Sequence, residues 1–244
     1  MISIIMSYYK KKEYVEKSIN SVLSQTFQDF ELLIVYDDES KKDLEYLKSL
    51  VEKDKRIKLI INDKNLGAGE SRNKAIKHCK GNLIAFIDSD DLWEKDKLEL
   101  QIEFMEDNYI KICHTSYKII DKNSNEIGSR KSKKILNYKD LLKSCDIGLS
   151  TVLMDKDLID EYFSFANLKT KEDYVIWLKL AKSGVEIKLI DKKLSSWRKV
   201  NNSLSSSVKQ KLFDGFFVYY NFMEFNILKS FFCLIRLSIY SLFK

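Results

Sequence analysis

Three carboxylates within four positions, Asp88-Ser89-Asp90-Asp91, follow directly on an apolar run of strand length. Placed side by side such groups repel one another, and a cation relieves the repulsion. Hard divalent ions such as Mg²⁺ and Mn²⁺ take oxygen ligands, commonly one or two carboxylates completed by phosphate oxygens. An Asp-x-Asp at a strand end can aim its carboxylates at such an ion, so Asp88 and Asp90 point to metal or substrate binding. Asp91 is ambiguous, because with Glu94 three residues on it also makes a capping box for a following helix.

Three further stretches carry possible chemistry. Tyr36-Asp37-Asp38-Glu39-Ser40 ends a second apolar run, and its alternative is a solvated turn with Asp38 or Ser40 as a helix N-cap. The stretch NLGAGESRN (65–73) sets glycines before a helix start, where backbone N–H groups can meet phosphate. It lacks both the Walker and the G-x-G-x-x-G spacing. Arg72 within it can approach a diphosphate bidentately, or be an ordinary surface arginine. Thr170-Lys171-Glu172-Asp173 opens a helix; Thr170-x-x-Asp173 is a capping box, while Glu172 and Asp173 are equally candidates for a general base. His78 and His114 fall in no triad or ligand spacing.

These residues need elements to hold them. Residues 2–7, 31–36, 56–61 and the run NLIAFID (82–88) read as strands. Helices between them carry apolar residues such as Val15, Ile19, Val22 and Leu23 at helical spacing. Alternation at this spacing predicts an α/β fold with a parallel sheet covered by helices on both faces. Ligands then bind beyond the carboxyl ends of the strands, where Ser7-Tyr8, Asp37-Asp38, Asn62-Asp63 and residues 88–91 fall. After residue 110 the pattern is mixed: a strand at 111–120, a polar hairpin-like stretch around 123–128, short elements near Leu141 and at 151–154, and a clear helix ending at Gly184. With no repeat and no Gly/Ser linker, one compact domain is expected.

Composition narrows the class. The 244 residues, 45% apolar and 32% charged, describe an ordinary globular protein. The net charge of +6 is interleaved along the chain, which argues against a dedicated nucleic-acid surface. Cys79, Cys113, Cys145 and Cys233 form no C-x-x-C pair and read as free thiols in a reducing compartment. The short apolar run at the N-terminus has its charges behind it, unlike a signal peptide, so the cytoplasm is the expected location. From Lys209 the chain becomes rich in aromatics. Phe225, Leu228, Phe232, Ile235, Ile239 and Leu242 recur at helical spacing, with Lys229 and Arg236 on the other face. No charge-free span is long enough to cross a bilayer; an amphipathic helix lying in a membrane interface fits, the alternative being a terminal helix packed on the protein's own sheet.

Taken in order over about residues 1–205, the stretches SIIMSYYKKKEYVEKSINSVLSQTFQDFELLIVYDDES, NLGAGESRNKAIKHCKGNLIAFIDSDDLW, KEDYVIWLKLAKSG and SWRKVNNSLSS resemble the family 2 glycosyltransferases of the GT-A fold. The resemblance implies a Rossmann-like mixed sheet flanked by helices. Residues 1–208 would form the GT-A domain, 1–110 its nucleotide-binding half and 111–208 its acceptor-binding half, with 209–244 an amphipathic helical tail. It implies inverting transfer of a sugar from a nucleotide diphosphate sugar, UDP being the commoner base, to a glycan or lipid-linked acceptor hydroxyl in surface polysaccharide synthesis. The enzyme would sit at the inner face of the cell membrane. Residue by residue, Ser7, Asp37 or Asp38, Arg72, Asp88 and Arg198 would hold the donor. Asp90, with Asp91, would ligate Mn²⁺ or Mg²⁺, and Asp173 would be the base. Two departures stand out: Tyr36 and Glu39 alter the Asp-Asp-Gly-Ser motif, and Val200 stands where a His is common, with Arg198 and Ser203 left to supply part of that role. A nucleotidyltransferase, or a nucleotide-binding subunit without catalysis, are the competing readings.

Overall fold

The computed structural model describes residues 1–159, 164–200 and 207–242; Ser203 lies outside them. The chain opens with β1 (Ile2–Tyr8), α1 (Lys12–Leu23), β2 (Phe30–Tyr36), α2 (Lys41–Val51), β3 (Ile57–Ile61), α3 (Ala68–Ile76) and β4 (Leu83–Phe86). These four strands pair in parallel in the order β3-β2-β1-β4. β1 and β2 are buried almost throughout, as strands covered on both faces must be, and therefore read as unbroken apolar runs. Their side chains alternate between two cores. Ile5, Leu33, Val35 and Phe86 face one; Ile4, Met6, Leu32 and Ile34 face the other, against Val15, Ile19 and Val22 of α1.

Beyond β4 the sheet is mixed. β5 (Leu92–Trp93), α4 (Lys97–Asp107), β6 (Ile112–Ile120), β7 (Glu126–Arg130), β8 (Ile135–Leu136), α5 (Tyr138–Leu141), β9 (Leu153–Asp155), α6 (Glu172–Lys182) and β10 (Ile187–Arg198) follow. β9 runs antiparallel to β4 and β6, β10 runs parallel to β6, and β5 runs antiparallel to β10. The fold is α/β as expected; the first four strands are all parallel, and beyond them parallel (β6/β10) and antiparallel pairings mix.

Two helix starts differ from the sequence reading. Asp91 caps no helix: α4 begins at Lys97 after Asp96, with no side-chain cap. Thr170 does not cap α6 either. Lys171 precedes that helix in the left-handed region (φ 64°) without a side-chain cap, and Thr170 donates through both its N–H and its Oγ1 to Asp214 Oδ2, at 2.8 Å each. A tertiary carboxylate has displaced the local box. Ser40 is the N-cap of α2, accepting from the Asp43 N–H.

The last segment forms α7 (Val208–Phe217), a π-helical turn and α8 (Ile227–Leu242). Val218, Tyr219, Met223, Cys233 and Leu237 join the core around α6, and the Tyr219 and Tyr174 hydroxyls meet at 3.1 Å. The opposite face of α8 leaves Leu228, Phe231, Phe232, Ile235 and Ile239 about half exposed or more. The helix thus packs on the protein and still presents an apolar stripe outward. Among the described residues no helix is long and apolar enough to cross a membrane.

Candidate active site

In a sheet ordered 3-2-1-4, chain connections leave β1 and β4 in opposite directions, which opens a crevice beyond their carboxyl ends. A cleft of about 1530 Å³ lies there. Ser7 at the end of β1, Asp37 after β2, the 88–91 loop after β4, and Arg72, Asp173 and Arg198 all line it. Asp38 points elsewhere: its oxygens accept from the backbone N–H groups of Lys10, Glu39 and Ser40.

Asp37 is buried and organises the glycine loop. Its Oδ1 accepts from Asn62 Nδ2 (2.8 Å) and Leu66 N (2.7 Å), and its Oδ2 from Gly67 N (2.8 Å). Gly67 itself takes φ 84°, which a side chain would strain. The altered motif at 36–40 therefore supports the loop that leads into α3.

The three acidic residues of the 88–91 loop diverge. Asp91 turns inward, its Oδ2 accepting from Ser150 Oγ (2.6 Å) and its Oδ1 from the Arg198 N–H (2.9 Å). Burial, with the charges of Asp88 and Asp90, pushes it well above the usual carboxylate range. With both oxygens engaged, Asp91 braces the loop and Asp90 presents its carboxylate to the cleft. Asp90 is also raised by burial, against the charge of Lys11, whose Nζ sits 2.6 Å from its Oδ2. The loop does not hold three negative charges unaided. Lys11 occupies the place a cation would take, and the donors at hand are oxygens only. Among the described residues no three His, Cys, Asp or Glu side chains converge on one point. That set suits a Mg²⁺ or Mn²⁺ held by one or two carboxylates and completed by ligand phosphate, with Asp90 the available protein ligand.

Arg198 is almost fully buried and fastens the same loop. Its Nε donates to the Asp90 carbonyl (2.8 Å), its Nη1 to the Asp121 carbonyl (2.9 Å) and Ser124 Oγ (3.0 Å), and the guanidinium lies 4.7 Å over the Tyr14 ring. Its Nη2 has no partner among the described residues. Val200 lines the cleft nearby.

Arg72 joins the two acidic edges. Its Nη2 donates to Asp88 Oδ1 (2.7 Å) and its Nη1 to Glu172 Oε1 (2.5 Å). Burial alone would lower the Arg72 pKa, and the two carboxylates outweigh it and raise it. One residue on from Glu172, Asp173 stands at the first turn of α6, its Oδ1 accepting from the Tyr174 N–H (2.8 Å). Burial and then the Glu172 charge push Asp173 up to about 7, against the pull of Arg72. A carboxylate poised there can accept a proton near neutral pH. Lys11, Ser150 and Asp214, which hold these groups, had no signal in the sequence. The first sits in a lysine run, the second in an irregular stretch, and the third in the tail.

The chain is similar to known proteins in sequence and in fold. The profile of Glycosyl transferase family 2 matches residues 3–163. TuaG of Bacillus subtilis (strain 168), a glycosyltransferase named for teichuronic acid biosynthesis, is 31% identical over 97% of this chain and 94% of its own. The Escherichia coli UDP-Glc:α-D-GlcNAc-diphosphoundecaprenol β-1,3-glucosyltransferase WfgD is 42% identical over 75% of this chain and 70% of its own. Among solved structures, TarS of S. aureus in complex with UDP-GlcNAc superposes with TM-score 0.72 at 20% identity, over 96% of this chain and 70% of that one. The mannosyltransferase PcManGT from Pyrobaculum calidifontis, in complex with GDP-Man and Mn²⁺, superposes with TM-score 0.71 at 12% identity, over 96% and 69%.

Proposed function

The chain belongs to glycosyl transferase family 2 and has the GT-A fold, and from that premise we propose that it moves a sugar, with inversion, from a UDP-sugar to a hydroxyl of a lipid-linked or glycan acceptor. The observation that carries this reading is the division of one cleft into two acidic edges, Asp88/Asp90 at a strand end and Glu172/Asp173 at a helix start, bridged by Arg72. UDP is favoured because TarS binds it and WfgD uses UDP-Glc by name.

Ser7 and the loop held by Asp37 take the nucleoside side of the donor, and Asp88 stands beside them. Asp90 would hold a Mn²⁺ or Mg²⁺ ion, which would offset the charge on the departing diphosphate. Arg198 and Asp91 keep the Asp90 backbone in place. Asp173 takes the proton from the acceptor hydroxyl as that oxygen attacks the anomeric carbon and the carbon–oxygen bond to the diphosphate breaks on the opposite side. The outward stripe of α8, flanked by Lys229 and Arg236, suits the interfacial zone of an anionic membrane, which would place the enzyme at the inner membrane face beside a lipid-linked acceptor.

The test is product analysis with a panel of UDP-sugars, Mn²⁺ and the diphosphoundecaprenol-linked GlcNAc that WfgD uses. Release of UDP, with an anomeric proton coupling inverted relative to the donor, is expected. Release of a sugar 1-phosphate would indicate nucleotidyl transfer instead, and donor binding without any product would indicate a non-catalytic subunit.

A further inference from the structure

Beside the loop that carries Asp90, one strand runs on past the others. Ala85 of β4 and Cys113 of β6 stand level, because each pairs with Leu153 of β9. β4 ends one residue later, at Phe86, whereas β6 continues to Ile120. The outer part of β6, with β7 on one edge and β10 on the other, therefore rises beside the cleft as a wall roughly 20 Å tall, at about 3.3 Å per residue.

Register fixes which side chains share the cleft face of that wall. Tyr117 lies between Arg130 of β7 and Ser195 of β10, and Ile119 lies between Gly128 and Trp197. Alternation puts both rows on one face, and Arg130, Tyr117, Ser195 and Trp197 all line the cleft. Lys118, between the rows, turns the other way and pairs with Glu94. The wall is tied to the loop that presents Asp90. Ser195 Oγ donates to the Ser150 carbonyl (3.0 Å), Ser150 Oγ holds Asp91, and Arg198, next to Trp197, holds the Asp90 carbonyl. The Tyr117 ring is seated against Gly148, where a methyl group would come within 3.4 Å of it.

The chemistry of this face suits a sugar ring. Trp197 is 38% exposed, and an indole left open in a cleft offers an apolar surface to the C–H face of a pyranose. Donors stand beside it. Among the described residues Arg130 forms no ion pair, and neither its guanidinium nor the Tyr117 hydroxyl has a hydrogen-bond partner. The face is also open at its outer end, where Gly128 carries no side chain and nothing but Ile119 comes within 4 Å of a methyl group built there. A donor sugar, joined to its diphosphate, belongs further in, between Asp90 and Asp173. An acceptor must lead the rest of its glycan or lipid out of the cleft, and an open wall permits that.

We infer that Trp197, Tyr117 and Arg130 form the acceptor subsite, with the acceptor's terminal sugar ring stacked on the indole and its hydroxyls bonded to the phenol and the guanidinium. The inference rests on the transfer reading above and deepens it: the acceptor is selected by its sugar ring, on a face built from β6, β7 and β10.

Trp93 and Trp177 are buried, so a change in tryptophan emission on adding a sugar reports on Trp197. The probes are methyl glycosides of N-acetylglucosamine, glucose and galactose, titrated into the full chain with UDP present. At least one should shift the emission saturably without displacing UDP. Trp197→Phe should lose the shift and keep its UDP affinity, which also shows an intact fold. By ligand-observed NMR, Trp197→Ala should weaken the same glycoside by about tenfold, a lost aromatic contact. Tyr117→Phe and Arg130→Gln should weaken it by about fivefold each, one hydrogen bond apiece. In transfer assays these variants should raise the acceptor KM and leave the donor KM unchanged. No shift with any glycoside, or unchanged affinity in all three variants, would overturn the proposal. So would a shift given by UDP-glucose and by neither UDP nor the glycosides, since the face would then hold the donor sugar. Saturable glycoside binding with no transfer from any UDP-sugar would strike the transfer reading alone.

Discussion

Asp90 reaches the cleft from a short loop after β4, held by neighbours at that end of the central sheet: Lys11 in the turn after β1, Ser150 in the turn before β9 through Asp91, and Arg198 at the end of β10. Asp173 reaches it from the first turn of α6, and what fixes that turn is Asp214 of a later helix, 44 residues after Thr170. The edge proposed to bind the donor is therefore built into the sheet, while the edge proposed to carry the base is assembled by the tail. Edges made in such different ways should respond separately to substitution, and Arg72 should be the place where they cannot be separated.

The largest effect is expected at the base. Asp173→Asn should lower transfer by about a thousandfold, within the range of a lost general base, with UDP affinity kept. The free-enzyme kcat/KM should rise with pH through the region near 7 where Asp173 loses its proton. Stability should run the other way. The unfolded Asp ionises near ~3.9, so between about 4 and 7 only the folded state keeps the proton, and stability falls as pH rises across that window. Thermal unfolding of Asp173→Asn should lose that slope, and a slope that persists would put its origin elsewhere.

Arg72→Lys comes next. A point charge cannot reproduce a fork onto Asp88 and Glu172, so transfer should drop by about a hundredfold, as expected for misplaced reacting groups, and donor affinity should weaken as well. An effect on only one of these would show that the edges are not coupled through Arg72. Asp214→Ala should act on the base edge only: kcat falls roughly tenfold while UDP affinity stays the same, and stability drops by about 1–3 kcal/mol because the buried Thr170 donors lose their partner. If Asp214→Ala instead weakened UDP, the tail would support both edges.

Much of the donor edge could be read from the sequence because its parts are local. Buried parallel strands announce themselves as apolar runs, and the residues just after them must lie at one end of the sheet. That reasoning puts Ser7, Asp88 and Asp90 at one end of the sheet, and all three line the cleft. Asp91 and Thr170 were harder, since a capping box and a tertiary contact use the same residue types. Only packing shows that Ser150 and Asp214 are the partners actually met. The stripe of α8 was legible too. That its reverse face, through Cys233 and Leu237, would join the core beside Tyr174 was not, because both faces are apolar and spacing alone cannot say which one is covered.

The smallest effect concerns the support beneath the donor edge. Lys97 is fully buried with its Nζ 4.1 Å from the Trp93 ring centroid, and burial lowers it to about 7. The Trp93 Nε1 donates to the Ser150 carbonyl. Lys97→Met removes a buried cation that no carboxylate among the described residues balances, so Tm should rise by a few degrees with transfer unchanged. A fall in Tm would mean that the bond to Gln101 outweighs the cost of burial.

The most direct test is calorimetric titration of UDP into the protein, with and without Mn²⁺, comparing Asp90→Ala with Asp173→Asn. The expected result is that Asp90→Ala loses the metal-dependent gain in affinity while Asp173→Asn retains it in full. An undiminished Mn²⁺ effect in Asp90→Ala, or its loss in Asp173→Asn, would contradict the division of the cleft into a donor edge and a base edge.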